Sequence, residues 1–200
     1  MKKFVSVVMA MTLSVSMLAG CGSKTPAETT VPETTQAQPA VPETTVPEET
    51  APAVAGEGTL EEMLNQVIAV NPVEFMGGVI PVDLTDTSED GLWALKSYTG
   101  LDNADSIVEA AAYEPMMGSI AFSMVMVRVA EGADAQAVAA EMKAGIDTRK
   151  WICVEANEVM AAGYGDVVMF IMLDNTSGMS AQSFVDAFQS VVGAELDFVI

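Results

Sequence analysis

The chain has 200 residues, half of them hydrophobic, with 28 acidic against 8 basic side chains and no histidine. A formal charge of −20 repels polyanions and argues against nucleic acid as a partner. The missing imidazole removes the commonest general base, the imidazole metal ligand and the pH switch near neutrality.

The first three residues, Met1-Lys2-Lys3, are a short positive region, and Phe4 to Leu18 is an apolar run broken only by Ser6, Thr12, Ser14 and Ser16. That length suits the core of a signal peptide and falls short of the roughly 20 residues a membrane-spanning helix needs. The next four residues, Leu18-Ala19-Gly20-Cys21, resemble the lipobox of bacterial lipoproteins. The residue types fit the chemistry. A thiol is required to take up the diacylglyceryl group, and small Ala19 and Gly20 let the strand lie close to the peptidase that cuts before Cys21. The expectation is a signal peptide over 1–20, lipidation at Cys21, and a chain held on the extracytoplasmic side of the cell membrane. Two acyl chains anchor a protein firmly, since each buried methylene contributes about 0.8 kcal/mol.

Composition changes after Cys21. The sequence Val-Pro-Glu-Thr-Thr occurs at Val31–Thr35 and Val41–Thr45, followed by Val-Pro-Glu-Glu-Thr at Val46–Thr50. Six prolines (Pro26, Pro32, Pro39, Pro42, Pro47 and Pro52) and no aromatic residue lie in this stretch. It cannot bury enough apolar surface to offset the entropy of ordering. Residues 21–58 are therefore expected to be a disordered, lipidated Pro/Thr/Glu-rich tether. Extended polyproline II at about 3.1 Å per residue gives it a reach of ~115 Å.

The folded part is expected over 59–200, long enough for one domain with its own core. It carries 22 Asp and Glu against Lys96, Arg128, Lys143, Arg149 and Lys150. Thr59-Leu60-Glu61-Glu62 reads as a capping box. Leu60, Met63, Leu64, Val67 and Ile68 follow at helical spacing up to Asn71-Pro72. Val73 to Leu84, with Gly77-Gly78 and Pro81, reads as irregular. Ser88 or Asp86 caps a short helix whose apolar positions are Leu92, Trp93, Leu95 and Tyr98, ended by Gly100. After a turn at Asp102–Ser106, Ile107–Tyr113 and Ile120–Ala130 read as strands joined through Glu114–Ser119. A helix is predicted from Ala133 or Asp134 to about Lys150. Strands follow at Asn157–Ala162 and Val167–Leu173, then a helix capped by Ser180. Leu196, Phe198 and Ile200 form a terminal strand.

Strands Ile120–Val129 and Val167–Leu173 are apolar on both alternate faces, apart from Ser123 and Arg128, so both sides of the sheet are covered. The fold class expected is α+β, with a mostly antiparallel sheet in ββα-ββα order and helices on both faces. The two later helices are expected on one face and the two earlier ones on the other. The segments from Val125 and Val168 each run strand, polar loop, then a helix opening with Ala-Gln. They are either related halves or a convergence of strand-to-helix chemistry.

Chemistry-bearing patterns are sparse. Asp83 to Gly91 is rich in carboxylates without the spacing of a calcium loop, and Asp174–Gly178 reads as a helix-approach turn. Met116, Met117, Met124 and Met126 offer thioethers suited to soft metals, but two of them sit in a strand that reads as core. Cys153, the thiol left once Cys21 is acylated, is expected to be a buried small hydrophobe. No catalytic residue, cofactor site or metal site is assigned.

Tyr98 with Gly100-Leu101, Pro115-Met116-Met117, the strand leading into Ala130–Val138, Arg149-Lys150-Trp151 and Gly163-Tyr164 together resemble a family of small bacterial lipoproteins of anaerobic Gram-positive lineages. The family is known as a domain of unknown function. The resemblance spans 59–192 and departs from the family pattern at Val154 and Glu155, where a tyrosine and a proline are usual. It implies an envelope setting and supplies no activity. The expected function is a membrane-anchored binding or accessory module of the cell envelope without enzymatic activity. Its partners would be membrane lipid through acylated Cys21 and an envelope protein or wall component. Two other readings stand beside it: an acidic cation- or solute-binding lipoprotein, and a carboxylate-dependent enzyme.

Overall fold

A computed structural model describes residues 58–200. The signal peptide, Cys21 and the tether lie outside the described residues. Four α-helices and six strands follow in order: α1 (Leu60–Val70), β1 (Gly77–Pro81), α2 (Glu89–Thr99), β2 (Ile107–Pro115), β3 (Phe122–Val129), α3 (Ala135–Gly145), β4 (Glu158–Tyr164), β5 (Val167–Leu173), α4 (Ala181–Val192) and β6 (Phe198–Val199), with one 3-10 turn at Asn175–Ser177 before α4. All strand pairs are antiparallel, in the sheet order β1-β2-β3-β5-β4-β6. The domain is α+β, with helices on both faces.

Local chemistry accounts for most element ends. Thr59 and Glu62 form the reciprocal capping box of α1, which satisfies two otherwise orphaned N–H groups. The Ser88 side chain caps α2 and that of Asp134 caps α3. Gly100 closes α2 in the left-handed conformation at φ +77°, with no room for a side chain: a Cβ there would lie 2.4 Å from the Met142 carbonyl oxygen.

Three expectations about elements are corrected. Val73–Leu84 is not irregular, because Gly77–Pro81 forms edge strand β1 on β2. Its glycines hide it from propensity, yet Gly77 is needed there: a Cβ would sit 2.6 Å from the Tyr113 ring. Helix α3 stops at Gly145 rather than near Lys150; at this close crossing a Cβ on Gly145 would strike the Gly100 carbonyl. Leu92 and Trp93 are exposed; of the expected apolar positions of α2, Leu95 is buried and Tyr98 packs half-buried on the core, with Gly91 and Thr99 buried beside them.

The sheet divides the core in two. On one face, α1 and α4 pack on Tyr113, Phe122, Met124, Met126, Met169 and Ile171. Phe75, Tyr113, Phe122 and Phe184 form a chain of tilted and edge-on rings with centroids 5.1 to 6.5 Å apart. On the other face, α2 and α3 cover Ala112, Val125, Val127, Val168, Phe170 and Met172. Burying each large side chain contributes about 1.5–3 kcal/mol. The helices thus pair as α1 with α4 and α2 with α3, not early against late.

This pairing bears on the two similar segments. Central strands β3 and β5 are antiparallel neighbours, with β2 and β4 outside them. Rotating the sheet to superpose β5 on β3 brings β4 onto β2, but leaves α4 and α3 on opposite faces. The two ββα units therefore have opposite hand, which favours convergent strand-to-helix chemistry over related halves.

Candidate functional site

The two polar interruptions of β3 each meet a cation or a carboxylate, at opposite ends of the sheet. Arg128 leans toward α1. Its guanidinium donates to Glu109 at 2.9 Å, to both oxygens of Asp166 at 3.2 Å and to the Gly58 carbonyl at 2.9 Å. The other oxygen of Glu109 accepts from the Leu60 N–H at 2.9 Å. Arg128 thereby fastens the point at which the preceding chain joins the domain.

At the other end, on the α2/α3 face, Ser123 lies beside Glu114 of β2, and Lys150 reaches both from the loop after α3. The Lys150 ammonium donates to Glu114 Oε1 at 2.8 Å, to Ser123 Oγ at 3.1 Å and to the Ser97 carbonyl at 3.2 Å. These bonds occupy all three of its protons. The Ser123 hydroxyl in turn donates to Glu114. The rings of Tyr98 and Trp151 flank the ammonium, their centroids 5.1 and 5.4 Å away. The Lys150 and Glu114 side chains are each only 11% exposed. Burial pushes the Lys150 amine below its usual pKa, opposed by the charge of Glu114. Burial, with the same carboxylate, raises that of Tyr98.

A serine hydroxyl 3.1 Å from a lysine is a spacing that nucleophile–base pairs use. Here Ser123 is fully buried and gives its proton to a carboxylate, while every Lys150 proton is held. The cluster works as a staple joining α2, β2, β3 and the Thr148–Val154 loop. Removing one partner of such a pair leaves an unanswered buried charge.

The staple forms the inner wall of a surface recess of about 400 Å³, lined by Trp93, Lys96, Ser97, Asp147, Arg149 and Lys150. Trp93 is 70% exposed. Lys96 pairs with Asp102 at 2.6 Å and Arg149 with Glu155 at 3.0 Å. Next to the same end of the sheet lie the exposed side chains of Met76, Met116, Met117 and Ile152, tied together by backbone bonds from Met116 to Met76 and from Ile152 to Gly118. A second cleft of about 700 Å³ opens at this end on the α1/α4 face. Its floor is Phe75, Ile120, Met179 and Phe184, with Asn71 and Ser180 at the rim.

The acidic loops are occupied by their own turns. Asp83 accepts from the Thr85 N–H and hydroxyl, Asp86 from the Ser88 N–H, and Asp174 from the N–H and hydroxyl of Thr176. Glu158 caps α4 through the Ala181 N–H at 2.8 Å, because Ser180 makes no side-chain cap bond. Hydrogen bonds hold all four of these carboxyls below their ordinary pKa: the Thr85 hydroxyl for Asp83, Ser88 for Asp86, and the Ala181 and Thr176 N–H groups for Glu158 and Asp174. Among the described residues no three His, Cys, Asp or Glu side chains cluster to hold a metal. The four methionines are not brought together: Met124 and Met126 are sealed in the core, while Met116 and Met117 are exposed.

Cys153 is not the buried hydrophobe expected. It is exposed and is the one non-glycine residue with positive φ among those described, at +63°. The loop between α3 and β4 bends there and leaves it outside both cores.

Tyr98, Pro115-Met116-Met117 and Arg149-Lys150-Trp151, separate in sequence, are thus assembled around one corner. Its central carboxylate, Glu114, carried no signal of its own. The lone serine of an otherwise apolar two-faced strand was the available clue. No known protein family, no curated protein and no solved structure matches the chain.

Proposed function

We propose that the chain is a lipoprotein anchored through Cys21 on the extracytoplasmic side of the membrane, serving as a binding module of the cell envelope. The supporting observation is the polarity of the domain. The preceding chain joins at Gly58, beside Arg128, whereas the cleft of about 700 Å³, the Trp93 recess and most of the strongly exposed apolar side chains lie at or near the opposite end of the sheet; the hollow of about 520 Å³ beside Arg128 and Asp166 lies at the attachment end itself. In an anchored domain built this way, the exposed apolar edge and the two recesses beside it are remote from the point where the tether joins. The lipobox at Leu18–Cys21 and the Pro/Thr-rich run after it support the address and the stand-off.

The Lys150 corner is the surface assigned to binding. Its cations are held in ion pairs, and its lining is fixed by bonds from four separate chain segments. Such a preformed, mixed-polarity recess suits recognition. The address is tested by fractionating cells that express the wild type and Cys21→Ala. The wild type should partition with membranes and carry a diacylglyceryl mass on Cys21, and the variant should appear in the soluble or secreted fraction. A wild-type chain bearing an unmodified cysteine would end the proposal.

A further inference from the structure

We infer that the recess beside Trp93 is a carbohydrate subsite, shaped for an uncharged or N-acetylated sugar of a polysaccharide. Trp93 is a large apolar surface that the fold does not use. The buried stripe of α2 is Gly91, Leu95 and Thr99, so the indole stands 70% exposed on another face. It borders a recess of about 400 Å³ rather than open surface, a volume within the range of small-ligand sites.

Charge narrows the class of occupant. The domain is strongly acidic, which repels polyanions. The recess supplies no free cation to overcome that repulsion: Lys96 is paired with Asp102, Arg149 with Glu155 and Lys150 with Glu114. A polycation has a run of carboxylates along Asp83, Asp86, Glu89 and Asp90, four within eight residues, outside the recess. A sugar ring matches what remains. Its C–H face covers an indole, and its hydroxyls both donate and accept. Asp147 provides acceptors, and the N–H groups of Lys96 and Arg149 that their carboxylate partners do not use provide donors while the charges stay neutralised. Beneath them the Lys150 staple fixes Ser97 and the loop that carries Asp147 and Arg149, so the donors and acceptors are positioned before a ligand arrives. The extracytoplasmic reading enters only in naming the natural source, a wall glycan.

The test uses the full chain in detergent, with triacetylchitotriose and cellotriose as probes, read by saturation-transfer NMR and calorimetry. At least one trisaccharide should bind with Kd of about 1 mM. Trp93→Ala should weaken it about tenfold or more without changing the melting temperature, since the indole packs little. Met179→Ala, in the other cleft, should bind as the wild type does. Failure of both sugars to bind at ~10 mM, or equal binding by Trp93→Ala, overturns the subsite. Sugar binding by Cys21→Ala at wild-type strength is expected, because the subsite does not need the anchor. A chain that is unlipidated in cells yet binds sugar would refute the address alone, and a lipidated chain that ignores sugar would refute the subsite alone.

Discussion

The two ionic clusters of the domain make an informative pair. Each places one cation against a β2 carboxylate beside a polar position of β3, yet they sit at opposite ends and on opposite faces of the sheet. Arg128 shares its charge among Glu109, Asp166 and a backbone carbonyl, and its acidic partners remain 35% and 52% exposed. Lys150 has a single carboxylate, equally buried, and two aromatic rings around it. The number of partners and the access of water, more than the type of contact, decide what each cluster contributes. A cation shared among several acceptors, with carboxylates that water still reaches, loses little when one partner goes. An enclosed pair is a poor source of net stability, but its rupture strands a charge.

That contrast can be broken most directly at Lys150. Lys150→Met should destabilise the domain by about 3–5 kcal/mol, read as a lower urea midpoint at constant slope. Adding Glu114→Gln should recover most of the loss, because no buried charge then remains. A single substitution that costs no more than a surface mutation, or a double variant no better than the single, would show that the staple is not the enclosed pair described. Arg128→Met is the milder counterpart. We expect about 1–2 kcal/mol, together with faster amide exchange at Leu60, whose N–H rests on the carboxylate that Arg128 orients.

The smallest effect is in the pH dependence. Lys150 titrates below its ordinary 10.5 in the folded state, so between its folded and unfolded pKa the unfolded chain binds more protons. Stability therefore rises with pH through that window. Tyr98 acts in the opposite sense only above its ordinary 10.0, where the unfolded chain loses the phenolic proton first. Just below pH 10, the wild type should gain stability with pH relative to Lys150→Met. A parallel pair of curves would mean that Lys150 is not desolvated.

How much of this was readable beforehand depended on whether a feature was local. Capping at Thr59, Ser88 and Asp134, the stop at Gly100 and the two-faced apolar strands are written in residues close together in sequence, and the α+β class followed from them. Features set by distant neighbours were not readable. Strand β1 depends on the Tyr113 ring lying over Gly77, two positions along from its own partner Val79, and the end of α3 depends on the Gly100 carbonyl lying against Gly145. The partition of helices between faces follows from the hand of each connection, which hydrophobic patterning does not encode. The Lys150 corner joins Ser97, Glu114, Ser123 and Lys150 across 53 positions, with no spacing to betray it. Ser123 and Arg128 nevertheless stood out as polar residues where the pattern required apolar ones, and each marked one of the two clusters.

The clamp of Arg128 on Gly58 has a mechanical side. A pull delivered by the chain ahead of Gly58 does not fall first on the free end of α1. The guanidinium passes it into β3, which is bonded to β2 on one side and β5 on the other. The share of the load that crosses this bond is spread over the hydrogen bonds tying a central strand to both its neighbours, and is not left to the first turn of α1 alone.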